Sequence, residues 1–563
     1  MFNHGDPKHR SEFRHIRDET FAQDWLSMFQ ESHSLDECEI TDIEGKLPED
    51  LVGTFWRNGP GTFARTKRSA SVDGDGLIVR LTFAKDGRVF FKAKFVETQE
   101  YMEEQLAGRA LYRGAFGSCP DEWILRGLFA QSKYKNAANT SQHYLEGKNQ
   151  LMVMWEGDLP HLMNPHTLET LGTSDLDGTL ENNRPSFSAH PCIDPTNGEL
   201  VNFGLTFGRH TTISVTELKE GSGGVMQLLK RHRIRLPGMG AVIHSCSLTK
   251  NWIVFAHDPV KMNLIKMALN YSMDDWIEDD LSDNARTLYF VLPRFSSALK
   301  SPSILPDDDG SDTLNKRSVA IYSSAPSFSY HDVAAFEDPS TGDIVLDRIQ
   351  YARKPPLLME SVEKFSSLGN AAGPGKLTRV TLRRPTCWGK QIDDSKDDSK
   401  DLKSNLKSST RSISVRTLAA SPSSCEMPVV SSRRTFNAPH RFVWSVDTAR
   451  DVGPWTGICK SDLELDTCVT WRPLQERTFV GEPVFVSKER KVGEVEEDSH
   501  EDNGWLLILA FHAAESRSSV YVLDAKNMHQ VCRLCLSGFV PWSHHCSWTS
   551  KVFHQQEVAR SKM

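Results

Sequence analysis

The sequence predicts an all-β fold, a β-propeller whose blades surround a central channel, and three observations carry that expectation. Hairpin patterns recur along most of the 563 residues, with few long helices between them. A related turn follows strand-like segments at several places, most clearly D-P-T-N-G-E-L (194–200) and D-P-S-T-G-D-I (338–344), with looser versions at 163–171 and 522–528. Four histidines, His190, His244, His331 and His545, each sit in a short apolar, strand-like setting. Their separations of 54, 87 and 214 residues are too wide for a local metal motif such as H-E-x-x-H. If they meet, the fold brings four remote segments to one point, as a closed radial array of sheets does on its axis. The residues themselves leave the number of blades open.

In chain order, residues 1–35 form an N-terminal helical extension, with Phe13, Ile16, Phe21, Trp25 and Phe29 spaced among charges. Packing on the main body is its expected role; a membrane-facing helix is the alternative. The β domain then occupies 36–563. Val79, Leu81 and Phe83 alternate with polar neighbours, K-D-G-R turns the chain, and Val89, Phe91, Ala93 and Phe95 resume the alternation, a hairpin signal.

Two segments, near 101–132 and 259–280, are expected to be helical and to cap the blades. The first is dense in Leu111, Phe116, Trp123, Ile124, Leu125, Leu128 and Phe129, which suits a buried cap or an apolar patch facing a membrane. Residues 391–424 are charged, Ser-rich and free of aromatic side chains, and they read as a disordered insertion.

Composition narrows the function. A net charge of −8 without a basic stripe argues against nucleic-acid binding. Apolar runs such as Trp505 to Ala514 are far shorter than the ~18 residues that span a bilayer, and read as buried strands. The N-terminus has neither an apolar core nor a transit-peptide composition, so a cytoplasmic location is expected, with peripheral membrane contact and a plastid left open. Eleven cysteines without framework spacing favour a reducing compartment, and the lone C-x-x-C of Cys532 and Cys535 lacks the second pair of a zinc ribbon. Asp73-Gly74-Asp75-Gly76 shares the start of a calcium loop but not its later ligands, so a structural turn is expected.

Four neutral imidazoles suit zinc, copper, iron or nickel, whereas structural zinc favours closed sites rich in cysteine. Ferrous iron in a roughly octahedral site would keep two positions open for dioxygen. Metal-bound histidines hand their other N–H to a carboxylate or carbonyl. Three glutamates lie in strand-like contexts, Glu156 in M-V-M-W-E-G, Glu426 in C-E-M-P and Glu482 in G-E-P-V-F-V. An acid in an apolar strand is costly unless paired.

At these residues the chain resembles the carotenoid cleavage oxygenase family, which includes carotenoid, apocarotenoid and stilbene cleavers and the retinoid isomerase of the eye. The resemblance runs from G-K-L-P-E-D-L-V-G-T-F-W-R-N-G-P-G (45–61) to S-W-T-S-K-V-F (547–553). Between them lie V-D-G-D-G-L-I-V, A-A-N-T-S, W-E-G-D-L-P, S-A-H-P-C-I-D-P, V-I-H-S-C-S-L-T, S-Y-H-D-V-A-A-F-E-D, A-P-H-R-F-V-W and V-P-W-S-H-H-C-S-W. It implies a seven-bladed propeller with a helical cap and Fe(2+) on the axis, reached by a nonpolar tunnel. It assigns iron binding to His190, His244, His331 and His545, with His544 as the residue before the last ligand. Glu156, Glu426 and Glu482 match the acids behind three of the ligands, and Thr140 a hydroxyl residue crowding one open position.

Ser245, Ala334 and Cys546 stand where the family has Asp, Asn and Gly. None of these departures removes a ligand.

The implied activity is a non-haem Fe(II) dioxygenase that uses O2 to split a double bond of a carotenoid or apocarotenoid into carbonyl products. One alternative keeps the site and changes the substrate to a stilbene-type phenylpropene. Another is a catalytically silent scaffold, whose mark would be missing ligands.

Overall fold

The computed structural model describes residues 19–554 apart from 64–70, 117, 119, 121–133, 182–186, 195, 207–210, 237–241, 264, 267–272, 295–318, 356–371, 386–411, 432–437, 449–454 and 489–499. Seven antiparallel sheets of four or five strands make up a seven-bladed propeller. Blade I unites both ends of the chain: Leu35–Ile40, Val89–Phe95, Leu77–Phe83 and Gly53–Asn58 lie side by side, and His545–Thr549 completes its inner edge. Blades II to VI follow in sequence (141–173, 192–235, 246–324, 332–417 and 425–471). Blade VII (478–535) takes its outer strand, Ile43–Gly45, from the N-terminal region. From blade III round to blade II, successive inner strands contact one another and form the axial ring.

Alternation along each blade strand feeds two different cores. In Trp252–His257, Trp252, Val254 and Ala256 pack toward blade V, while Ile253 and Phe255 pack toward blade III. In Gly504–His512, Leu506, Ile508 and Ala510 face one cluster, and Leu507 and Leu509 the other. Burial on both faces explains why these strands read as unbroken apolar runs. At about 25 cal/mol per Å², such burial supplies most of the drive that holds neighbouring blades together.

The repeated turns share one geometry. In 164–169, 194–199, 338–343 and 524–529, the first residue exchanges backbone hydrogen bonds of 2.8–2.9 Å with positions four and five residues on. The fifth residue of each adopts positive φ: Leu168 (59°), Gly198 (70°), Gly342 (71°) and Met528 (61°). The two Asp-Pro versions place glycine there, where a left-handed backbone costs least.

Two segments differ from expectation. At the ends of 259–280 strands replace the expected helix, Val260–Met262 pairing with Ile277–Asp279, and among the described residues between them Ile265, Lys266 and Met273–Trp276 are helical. Val260, Trp276 and Ile277 bury together with Phe328 by folding the segment back on itself, and that brings its ends into register. Of the segment expected to be disordered, 391–424, the later part is ordered. Its first part, 391–411, lies outside the described residues, and Ile413–Thr417 is the outer strand of blade V. An edge strand needs one apolar anchor; here Ile413 packs inward while its neighbours face solvent, so its composition imitates a loop.

In the N-terminal extension the helix is Glu19–Leu26, and 1–18 lie outside the described residues. Trp25 (2% exposed) packs edge-on against Phe479, with ring centroids 5.5 Å apart. In the first cap segment, Gln99–Ala107 is a helix whose first turn is capped by the Thr98 hydroxyl and whose end is closed by Gly108 at φ 64°. The apolar residues Trp123 to Phe129 lie outside the described residues.

Asp73, Gly74, Asp75 and Gly76 form the expected turn. Asp73 accepts backbone N–H groups from Phe116 and Ser118, and Asp75 is paired with Lys135 at 2.6 Å.

Candidate metal centre

Each blade delivers at least one of the singled-out residues to the axis. His545 opens the inner strand of blade I, and Thr140 directly precedes Ser141–Leu145 of blade II. His190 and His244 lie two residues before Cys192–Ile193 and Cys246–Leu248 of blades III and IV. His331 precedes Asp332–Glu337 of blade V; Glu426 and Glu482 sit on the inner strands of blades VI and VII. Glu156 follows the second strand of blade II, Gln150–Met154.

The four histidines converge: one ligand nitrogen from each falls within 4.8 Å of all the others. The His244 and His331 Nε2 atoms are 3.3 Å apart. Ring centroids of His190 lie 4.0 Å from His244 and 4.8 Å from His545.

Carboxylates stand behind them. His331 Nδ1 is 2.6 Å from Glu426 Oε2, and His545 Nδ1 is 3.2 Å from Glu482 Oε1. Glu156 does not serve a single histidine. Its Oε1 lies 2.7 Å from His190 Nε2 and 3.4 Å from His244 Nδ1, while its Oε2 accepts from Ser188 Oγ at 3.3 Å.

Burial and the facing imidazoles of His545 and His331 hold His190 well below the ordinary imidazole pKa; burial and His190 do the same for His244. Burial also opposes charge on His331, but the Glu426 carboxylate overcomes it and raises that pKa.

The departures from the family pattern join this support. Ser245 Oγ donates to the Tyr330 carbonyl at 3.1 Å, tying the His244 segment to the residue before His331. The Cys546 N–H donates to Glu482 Oε2 at 2.7 Å.

Thr140 is buried and donates to Asn139 Oδ1 at 3.2 Å, and the Asn139 carbonyl lies 3.0 Å from His544 Nδ1. That bond occupies His544, whose pKa burial pushes down to about 3, and the converging nitrogen belongs to its neighbour His545.

Sequence reasoning passed over the groups that seat His545. Asn58, its partner in register, is fully buried and donates to the carbonyls of Ala138 (3.1 Å) and Ser141 (3.0 Å). Arg57 is likewise buried; backbone carbonyls of Leu77 (3.0 Å), Pro541 (2.8 Å) and Trp542 surround its guanidinium, and burial lowers its pKa to about 9. The available signal was two polar residues inside the apolar strand Gly53–Asn58.

The donor set fits a divalent cation. With the Nδ1–H of His331 turned to Glu426 and that of His244 turned toward Glu156, the Nε2 lone pairs of both rings are left to face one cation. Metal–nitrogen bonds of about 2.1 Å place adjacent donors about 3 Å apart and opposite donors about 4.2 Å apart, within the span found here.

Known proteins share the architecture. The chain is 31% identical over 538 residues to the apocarotenoid-15,15'-oxygenase of Synechocystis, covering 93% of this chain and 96% of that one. A crystal structure of the cobalt-substituted Synechocystis protein matches with a TM-score of 0.74 at 30% identity, over 94% of this chain and 98% of that one. The resveratrol cleavage oxygenase 1 of Chaetomium globosum is 30% identical over 264 residues, 46% of this chain and 41% of its own. The family described as retinal pigment epithelial membrane protein matches residues 28–550, and with the propeller and its four axial histidines in place, the chain belongs to that family of carotenoid cleavage oxygenases.

Proposed function

We propose that the protein is a non-haem iron(II) dioxygenase that splits a conjugated carbon–carbon double bond of a carotenoid or apocarotenoid into two carbonyl products. The observation that carries this reading is the convergence of four imidazoles within 4.8 Å in a chain 31% identical to an apocarotenoid oxygenase. His190, His244, His331 and His545 would hold the iron, which when bound supplies the binding and reduction of dioxygen. Four neutral nitrogens leave the cation's charge to be balanced from outside, and Glu156, Glu426 and Glu482 provide that balance. Glu426 and Glu482 also fix the tautomer and direction of the rings they touch. Thr140, at the axial end of blade II, narrows one approach to the centre. Rigid inner strands and a dry surrounding hold reactants in place, so selectivity comes from positioning.

The test is to give the iron-loaded protein a panel of carotenoids, apocarotenals and hydroxystilbenes under oxygen and to identify carbonyl fragments by mass. Aldehydes or ketones from a polyene, lost in His244→Ala, support the reading. A stilbene as the only substrate cleaved favours the second one, which the Chaetomium relative motivates. No product from any of them leaves the binding-scaffold alternative.

Polyenes dissolve in lipid, so the protein meets its substrate at a membrane surface. Among the described residues no helix is long and apolar enough to cross a membrane, while helix Gln99–Ala107 exposes Leu106 (90%) and Met102 (46%). Met102→Ser with Leu106→Ser should weaken cosedimentation with lipid vesicles; unchanged binding would place the contact elsewhere.

A further inference from the structure

Two cysteines stand directly behind the centre. Cys192 and Cys246 lie two residues after His190 and His244, at the start of the inner strands of blades III and IV. Their sulfurs are 3.5 Å apart, and the Cys192 thiol donates to the Cys246 carbonyl at 3.0 Å. The pair therefore spans the seam between two blades. Cys246 is buried within the apolar cluster between these blades, and Cys192, packed against that cluster, keeps part of its surface exposed. Packing alone would be met there by two small aliphatic side chains. Two thiols in contact across a blade junction, each two residues from a site histidine, provide chemistry that packing does not require.

We propose that Cys192 and Cys246 form a reversible disulfide when the protein meets a small two-electron oxidant such as a peroxide, and that closing it loosens the grip of His190 and His244 on the metal. The second half rests on the metal reading given above; the disulfide itself does not.

Cys192 is the more accessible sulfur and reacts first. It attacks one peroxide oxygen; an S–O bond forms, the O–O bond breaks, and the departing oxygen leaves with a proton as water. The Cys246 sulfur then displaces the hydroxyl from the Cys192 sulfenic acid, so an S–S bond forms, the S–O bond breaks and a second water leaves. The two thiols give up two electrons and two protons, and the peroxide takes up both. A thiol reductant reverses the change by exchange.

A disulfide is about 2.05 Å long, so the sulfurs must approach by roughly 1.5 Å. Both cysteines are fixed in register, Cys192 opposite Val201 and Cys246 opposite Phe255. Much of the adjustment therefore falls on the short links that precede them, Pro191 and Ser245, and reaches the imidazoles that share Glu156.

The test treats the metal-loaded full chain with diamide, which oxidises thiol pairs without adding peroxide to the metal. Cysteine peptides are mapped without reductant, and bound metal is measured after desalting, before and after dithiothreitol. A linked Cys192–Cys246 peptide with a several-fold loss of bound metal, both reversed by dithiothreitol, is expected. Cys192→Ala and Cys246→Ala should show neither response and should keep their metal. Absence of the linked peptide under conditions that modify the exposed Cys468 overturns the disulfide. A linked peptide with unchanged metal overturns the coupling. A reduced chain that holds no metal refutes the metal reading and the coupling with it, while the peptide map still decides the disulfide.

Discussion

Glu426 Oε2 serves two donors at once: the His331 ring at 2.6 Å and the backbone N–H of Met427 at 2.5 Å. Met427 adopts φ 48°, so the backbone bends into the left-handed region to make the second contact. A carboxylate fixed from both sides cannot swing away, and the His331 ring is held with it. Glu426→Gln should keep the fold and lower metal affinity by about 10–100-fold, read by competition with a coloured chelator. His331→Ala, which removes a donor outright, should abolish retention. Equal affinity in Glu426→Gln and the parent would show that the carboxylate does not tune the ring.

Asn58 is the second prediction. Its side chain satisfies two carbonyls of the segment that leads into blade II, beside the strand that brings in His545. Asn58→Ala leaves both carbonyls buried without that donor, and should cost about 1–3 kcal/mol in denaturant unfolding. Metal should also dissociate faster, because the closing strand loses its neighbour's anchor. A midpoint matching the parent would place the strength of the closure elsewhere.

Lys135 sits 2.6 Å from both Asp75 and Glu104, and all three are buried. Replacing it with Met keeps the volume but removes the positive charge between two carboxylates. A loss of about 3–5 kcal/mol is expected by calorimetry or denaturant titration. Lys135→Arg should recover part of it; a fully stable Lys135→Met would show that other partners suffice for these acids.

Acid should weaken the fold through His257. Burial lowers its pKa from 6.5 to about 4, so the unfolded chain takes up a proton there before the native one does. A depressed histidine costs nothing above pH 6.5; stability declines as pH falls from 6.5 toward 4 and then levels, by roughly 3 kcal/mol at most. His257→Gln should flatten that decline in denaturant midpoints taken across the interval. An unchanged slope would assign the acid sensitivity to other groups.

The histidines were legible because imidazoles in apolar strands are conspicuous and their spacing excludes a local motif. The acids were visible for the same reason, since Glu156, Glu426 and Glu482 interrupt strong β patterns. Which imidazole each acid meets was not, because Glu156 lies between His190 and His244 through the placement of two different blades. The strand Ile413–Thr417 escaped notice because edge strands bury one side only. The strands that close the 259–280 segment went unread because Val260, Trp276 and Ile277 satisfy one another across a fold-back, which a helical stripe does not record. Asn58 and Arg57 went unassigned because their partners are backbone carbonyls up to 485 residues away, which side-chain patterns do not record.

The strand that seals blade I has a temporal meaning as well. Because His545 is translated long after the other three imidazoles, a chain still on the ribosome holds an incomplete donor set however well its first blades have formed. Tight capture of the cation must wait until the ring shuts, and loading then locks a finished molecule rather than a partial one.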